Sequence, residues 1–212
     1  MEFHKKTKGW LVDYWYMLLG AIGSIIYHKP PRHYLEYTKE GKIAVILIPG
    51  ILGRWGFMKK LGDKISLEGH PVYIVPKLGY NLYSIPSSAK TLRSVIMRIL
   101  SKKGFLKTYI PKGAIEVRKT IEEENIEGVI LVAHSKGGLI GKYLMIHHNA
   151  DNSVLGMVAI ATPFSGSAMV NLIPIESFKE MKMDSEIIRD LDTHKTINKK
   201  IISIIPEYDN HV

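Results

Sequence analysis

Five short apolar runs punctuate the chain: Ile43–Ile48, Val72–Val75, Val129–Ala133, Val154–Ala161 and Ile201–Ile205. They are nearly continuous instead of alternating with polar residues, the mark of strands buried on both faces in a parallel sheet. Between them lie segments with helical spacing, at about 55–67, 113–125, 136–148 and 184–192. Strand alternating with helix predicts an α/β fold: a mostly parallel sheet with helices on both faces, wound in right-handed crossovers. Ligands in such folds bind beyond the carboxyl ends of the strands. Ile51, Ser135, Thr162 and Asp209 each fall just past the end of a different predicted strand.

Two stretches stand outside this alternation. Residues 10–27 are apolar apart from Asp13 and Ser24, and they follow a basic start with His4, Lys5, Lys6 and Lys8. The length is near the lower bound for a membrane span, about 18 residues, and Tyr14, Trp15 and Tyr16 cluster near one end as at a membrane interface. Asp13 and the glycines weaken that reading and leave a second one, a helix packed on the domain or on a partner surface. No small-residue cleavage site follows, so a cleaved signal peptide is not expected. Lys29-Pro30-Pro31-Arg32 ends any helix. Residues 1–42 are therefore expected to be an N-terminal hydrophobic helix with a Pro-containing linker, and 43–212 the α/β domain. The location left open is membrane-associated or cytoplasmic.

The second stretch, about 77–112, is longer than a plain connection needs. Ala89, Leu92, Val95, Ile96, Ile99 and Leu100 share one helical face, with Lys90, Arg93 and Arg98 opposite. A basic amphipathic helix beside a site predicts a cap or lid, or a contact with a membrane surface. A core-facing helix with a solvated basic side is the plainer reading.

Charge sharpens this picture. The formal net charge of +9 comes largely from one window: between Glu68 and Glu116 there are eight basic residues and no acidic one. Nucleic-acid binding, another use of such charge, is not expected because no recognised binding motif accompanies it. At 212 residues, 46% hydrophobic and 23% charged, the chain is long enough to bury a full core as one domain. It has no cysteine, so disulfides and thiolate metal sites are excluded. Neither His147-His148 nor any carboxylate cluster has metal-ligand spacing, and no metal or cofactor is expected.

The chemistry concentrates in Leu131-Val132-Ala133-His134-Ser135-Lys136-Gly137-Gly138. An apolar strand stops, a sharp turn presents Ser135, and a helix begins with Leu139 and Ile140. Such a turn lifts a hydroxyl out of the sheet and sets it at a helix N-terminus. There a base can deprotonate it, and a backbone N–H can hold an oxyanion. The residues two before and two after the serine must be small because strand and helix nearly touch; here they are Ala133 and Gly137. A serine N-cap on an ordinary core helix is the competing explanation.

Taken together, residues 43–212 resemble the α/β-hydrolase superfamily, specifically its small lipase and esterase members. Pro49-Gly50-Ile51-Leu52-Gly53 is similar to the oxyanion loop, with Pro49 where many lipases have His. Ala133–Gly137 resembles the nucleophile elbow in an Ala-x-Ser-x-Gly form. Ala161-Thr162-Pro163-Phe164-Ser165-Gly166-Ser167 resembles the Thr-Pro segment after the next strand, and Ile204–Val212 the strand and loop that deliver the acid. The resemblance implies Ser135 as nucleophile and Asp209 as acid, with Glu207 in reserve. It implies the backbone N–H groups of Ile51 and Lys136 as the oxyanion hole, supported by Gly50, Ala133, His134, Gly137 and Gly138. The substrate implied is a small-molecule ester or a lipid. An acyltransferase or thioesterase would use the same site, and a non-catalytic lipid- or partner-binding protein could share the fold.

The third triad member is not evident. In the resemblance the histidine follows the acid by one further strand, whereas only three residues follow Asp209 here. His211 lies too close to Asp209 to place its ring between Asp209 and Ser135. The expectation is a chain that stops before the catalytic histidine, a last strand and a closing helix, and that lacks an evident base for activity as it stands.

Overall fold

The structure is a computed structural model describing residues 18–27, 29–100, 128–167, 170 and 176–206. The helix expected at 113–125, the lysines at 102, 103, 107 and 112, residues 10–17, and Glu207, Asp209 and His211 lie outside the described residues.

All five apolar runs are strands, with bounds within one residue of expectation: β1 Ala44–Ile48, β2 Val72–Ile74, β3 Val129–His134, β4 Val154–Ile160 and β5 Ile201–Ile204. They form one sheet in the order β2-β1-β3-β4-β5, and every neighbouring pair is parallel. The helices are α1 (18–26), α2 His33–Glu36, α3 Lys59–Leu67, α4 Ile85–Leu100, α5 Lys136–His147, α6 Glu176–Lys179 and α7 Glu186–Thr193. The helix expected from Trp55 opens instead as a 3-10 turn, Trp55–Met58, before α3. Ser185 starts α7 by accepting a hydrogen bond from Ile188 N–H, which moves that helix two residues beyond expectation.

Period-two alternation sends the strands' side chains to two cores. Ala44, Ile46 and Ile48 of β1 join Val129, Leu131 and Ala133 of β3 under α4, α5 and α7. Val45 and Leu47 face the other way, with Val72, Val132, Tyr34, Trp55 and Met58. Helices thus cover both faces, and continuous apolar strands are what that requires.

The topology also fixes where a site can form. From β1 the chain moves outward to β2, then crosses back to place β3 on the other side of β1. The carboxyl ends of β1 and β3 therefore flank the switch point, the crevice where ligands bind in open α/β sheets.

Two expectations take a more specific form. Within the stretch read as cap or lid, residues 85–100 belong to the core layer. Ile85, Ala89, Leu92, Val95, Ile96 and Ile99 are buried in the larger core, because a stripe that wide is stable only against another apolar surface. Arg93 turns its charge back onto the domain, pairing with Asp151 at 2.8 Å and donating to Ser153 Oγ. That guanidinium holds the Asp151 carboxyl down at about 2. Part of the stretch read as linker is also packed. Tyr34 of α2 is buried and donates to Lys59 O at 3.2 Å, while Ser66 Oγ donates to His33 O at 2.7 Å.

Helix α1 lies along the segment that follows β1. Gly20 packs on Phe57, Gly23 meets the Gly56 backbone, and Ser24 Oγ accepts from Arg54 N–H at 3.2 Å. Its other face leaves Leu18, Ile22, Ile25 and Ile26 exposed. No helix among the described residues is long and apolar enough to cross a membrane.

Candidate active site

Ser135 is the sole residue between β3 and α5, and its backbone stands at φ 51° and ψ −124°. L-residues avoid this region at a cost on the order of 1–3 kcal/mol, so the surroundings must enforce it. Ser135 N–H donates to Ile160 O at 2.9 Å, and Gly138 N–H donates to Ser135 O at 2.9 Å. A Cβ on Gly137 would lie 2.5 Å from Ile48 O and 2.9 Å from Pro49 O, so α5 starts hard against the end of β1. A Cβ on Gly138 would collide with Thr162, and Ala133 is fully buried beneath the turn. The need for small residues around Ser135 thus has named causes. The Ser135 side chain makes no capping bond to α5, so it is not an N-cap in the ordinary sense.

The loop after β1 presses on this turn. A Cβ on Gly50 would sit 2.9 Å from His134 Nδ1 and 3.0 Å from Ser135 Cβ, so only glycine lets the loop backbone approach so closely. Leu52 has φ 59°, its N–H donates to Tyr80 O at 2.8 Å, and Gly53 N–H returns to Gly50 O at 3.2 Å. Ile51 is therefore held between two fixed points. Lys136 begins α5, and its N–H is one of the donors that the first turn of a helix leaves without an intrahelical acceptor. His134 is half-buried with its ring stacked on Phe57, centroids 4.9 Å apart.

The side chain of Lys136 was not legible as a site feature. It is fully buried, and its Nζ donates to Asn81 O at 3.1 Å and Tyr83 O at 2.7 Å. Burial pushes the ammonium down to about 8, opposed by the nearby charge of Glu180. Asn81 is also fully buried, at φ 58°, and donates through Nδ2 to Pro49 O at 2.8 Å. Gly79-Tyr80-Asn81 carries a turn signal that could have marked the loop, though not its target.

The described histidines apart from His134 and His148 are engaged elsewhere. His33 pairs with Asp63 at 3.4 Å, and His70 Nδ1 meets Ile43 O at 2.9 Å. His147 bonds Asp190 Oδ2 at 2.7 Å, and His194 bonds Asp190 O at 2.9 Å. His147 and His148 lie at the far end of α5, which at 1.5 Å per residue is about 18 Å from Ser135. Beyond β5, residues 205–206 emerge beside the Thr162 loop, where Ala161 N–H donates to Ile204 O at 3.0 Å.

A family model for the PGAP1-like alpha/beta domain matches residues 83–206, more than half of the chain. The chain belongs to the PGAP1-like alpha/beta domain family. The matched region runs from the head of α4 through the Ser135 turn to the end of β5, while β1 and its loop precede it. Among solved structures, Bacillus licheniformis lipase BlEst2 in its propeptide form superposes with a TM-score of 0.53 at 16% identity, covering 84% of this chain and 37% of that one. Its mature form gives 0.52 at 15% identity, with 84% and 68% covered. Phospholipase PlaB from Legionella pneumophila gives 0.51 at 14% identity, covering 77% of this chain and 38% of that one. At such identities the likeness concerns the fold, and this family member spans well under half of the BlEst2 propeptide form and of PlaB. No curated protein sequence gives a significant match.

Proposed function

We propose that the chain is a serine ester hydrolase of the lipase or carboxylesterase kind, acting through an acyl-enzyme on Ser135. The observation that carries this reading is the left-handed backbone of Ser135, enforced by Gly137 against β1 and Gly50 against the turn. A fold has little reason to keep such strain at an ordinary helix start. In the reaction, Ser135 Oγ attacks the ester carbonyl as a base takes its proton. The Ile51 and Lys136 N–H groups receive the oxyanion. Collapse expels the alcohol with that proton, and water then releases the acid by the reverse steps. A histidine oriented by Asp209 is the base this reading requires, and His33, His70, His147 and His194 are engaged elsewhere.

For the substrate, an ester of a lipid is favoured. The neighbouring structures carry the names lipase and phospholipase, and Leu52, Tyr80, Leu82 and Tyr83 form an exposed apolar rim around the loop after β1. Arg54 lies over the Tyr80 ring at 5.5 Å, joining this rim to the segment on which α1 rests. The outer face of α1, where Leu18, Ile22, Ile25 and Ile26 are exposed, is a second apolar surface that this reading assigns to lipid contact. Substituting Ile22→Asp and Ile25→Asp together, at side chains 41% and 63% exposed, is expected to weaken binding to phosphatidylglycerol vesicles at least tenfold. Losing two inserted apolar groups costs about 2 kcal/mol or more. Co-sedimentation checks it; unchanged binding would remove α1 from the contact.

The rival reading is a hydrolase-fold protein that binds a lipid or partner without chemistry. The engagement of His33, His70, His147 and His194 away from Ser135 favours it. Hydrolysis of p-nitrophenyl esters from butyrate to laurate by the full-length protein separates the two. Turnover should fall by about a thousandfold or more in Ser135→Ala, as removing a nucleophile disables the whole unit. Turnover that survives Ser135→Ala contradicts the hydrolase reading, and no turnover at any chain length favours the binding one.

A further inference from the structure

Lys136 stands at the corner between β3 and α5, yet none of its surface reaches solvent. Removing an ammonium from water is costly unless hydrogen bonds replace the lost hydration, and an apolar side chain of similar length would fill the same space at less cost. The meaning of the cation lies in what it holds. Both of its bonds go to one short loop, to Asn81 O at 3.1 Å and Tyr83 O at 2.7 Å. The same loop grips the residues on either side of Ile51. Asn81 Nδ2 donates to Pro49 O at 2.8 Å, and Tyr80 O accepts from Leu52 N–H at 2.8 Å. At the loop's other end the Glu180 carboxylate accepts from Ile85 N–H at 2.7 Å, pinning the start of α4.

We propose that Lys136 is the positioning residue of the oxyanion hole: its side chain clamps the loop that fixes Ile51, while its own backbone N–H is the second donor. One residue would thereby set the spacing of both donors. The inference rests on the serine-hydrolase reading and adds to it how the hole is held. Because the side chain touches the loop and not the substrate, its loss should appear in kcat and leave KM nearly untouched.

The test uses full-length protein and two readouts. Lys136→Met is expected to lower kcat about 100-fold, the cost of misplacing a donor by about an ångström, with KM changed less than about threefold. Lys136→Arg should recover part of this loss, because a guanidinium can also donate to two carbonyls. Should Lys136→Met fail to fold, Asn81→Gly tests the loop's grip on the Ile51 segment: glycine accepts the φ of 58°, keeps the backbone carbonyl that Lys136 holds, and removes the buried amide with its bond to Pro49. It is expected to lower kcat about tenfold. Hydrogen exchange supplies the second readout, with the Leu52 amide losing protection in both variants. Folded variants with kcat within about threefold of wild type and unchanged Leu52 exchange would overturn the clamp while leaving the hydrolase reading intact. Loss of Leu52 protection in a protein whose wild type turns over no ester would do the reverse, keeping the clamp and discarding the hydrolase reading.

Discussion

A Ser135→Gly protein is expected to be more stable than the wild type and inactive. The φ of 51° at Ser135 disfavours any side chain, whereas glycine adopts it freely. Relief of the strain should outweigh the greater flexibility of glycine in the unfolded chain, for a net gain on the order of 1 kcal/mol. In a chain of this length that raises Tm by about 2–4 °C. The hydroxyl disappears at the same time, and ester turnover should fall by about a thousandfold or more. The stability gain follows from the φ of 51° whatever Ser135 does, so the turnover half carries the test of its role: if Ser135 served only as a helix start, turnover would persist. Thermal unfolding and steady-state hydrolysis on the same preparation check both halves.

Gly137→Ala is expected to do the opposite, lowering stability and activity together. The added methyl would stand 2.5 Å from Ile48 O, 2.9 Å from Pro49 O and 3.0 Å from Ile48 Cγ2. Two of these obstacles are backbone of β1 and its loop, so relief requires α5 to move away from the loop that carries Ile51. Overpacking of this kind costs about 1–3 kcal/mol, and alanine's better helix propensity returns less than about 1 kcal/mol. A net loss of about 1–2 kcal/mol and at least a tenfold fall in kcat are expected, since the Ser135 turn and the loop carrying Ile51 no longer register. Gly141→Ala is the control on the same helix. Its methyl would first meet the Met157 sulfur, part of a buried but flexible side chain and not backbone, which can shift by rotamer change. Stability within about 0.5 kcal/mol of wild type is expected there. Equal effects at Gly137 and Gly141 would mean that helix composition, and not contact with β1, sets the outcome.

The sheet was legible because burial on both faces leaves a plain trace: runs such as Ile43–Ile48 have no polar residue to interrupt them. The Ser135 turn was legible for a related reason. Close contact of the start of α5 with the end of β1 and with Thr162 leaves no room for side chains at Gly137 and Gly138, so the requirement is written locally in the sequence. Residues 85–100 were harder. Their amphipathic pattern fits a lid as well as a core layer, and only the presence of α5 against that apolar face distinguishes them. The role of the Lys136 side chain could not be read from the chain at all. Its partners are backbone carbonyls of residues 81 and 83, more than fifty positions away, and a carbonyl has no residue identity to leave in a sequence. Asn81 shows the same limit, because Asn marks a turn but not which strand end the turn will hold.

These pieces describe a site assembled at the switch point of the sheet. In the proposed reading the loop after β1 would supply one oxyanion donor, and the turn between β3 and α5 the nucleophile and the second donor. The 79–84 loop joins the two through Asn81, Tyr80 and Tyr83. The central claim is that Ser135 is an activated nucleophile. Its most direct test is reaction of folded full-length protein with a fluorophosphonate, with the adduct located by peptide mass mapping. The serine oxygen would displace fluoride and form a stable phosphonyl ester. The account predicts a single adduct, on Ser135, absent from Ser135→Gly. A folded protein that forms no adduct, or forms one on another residue while Ser135 stays unmodified, would contradict it.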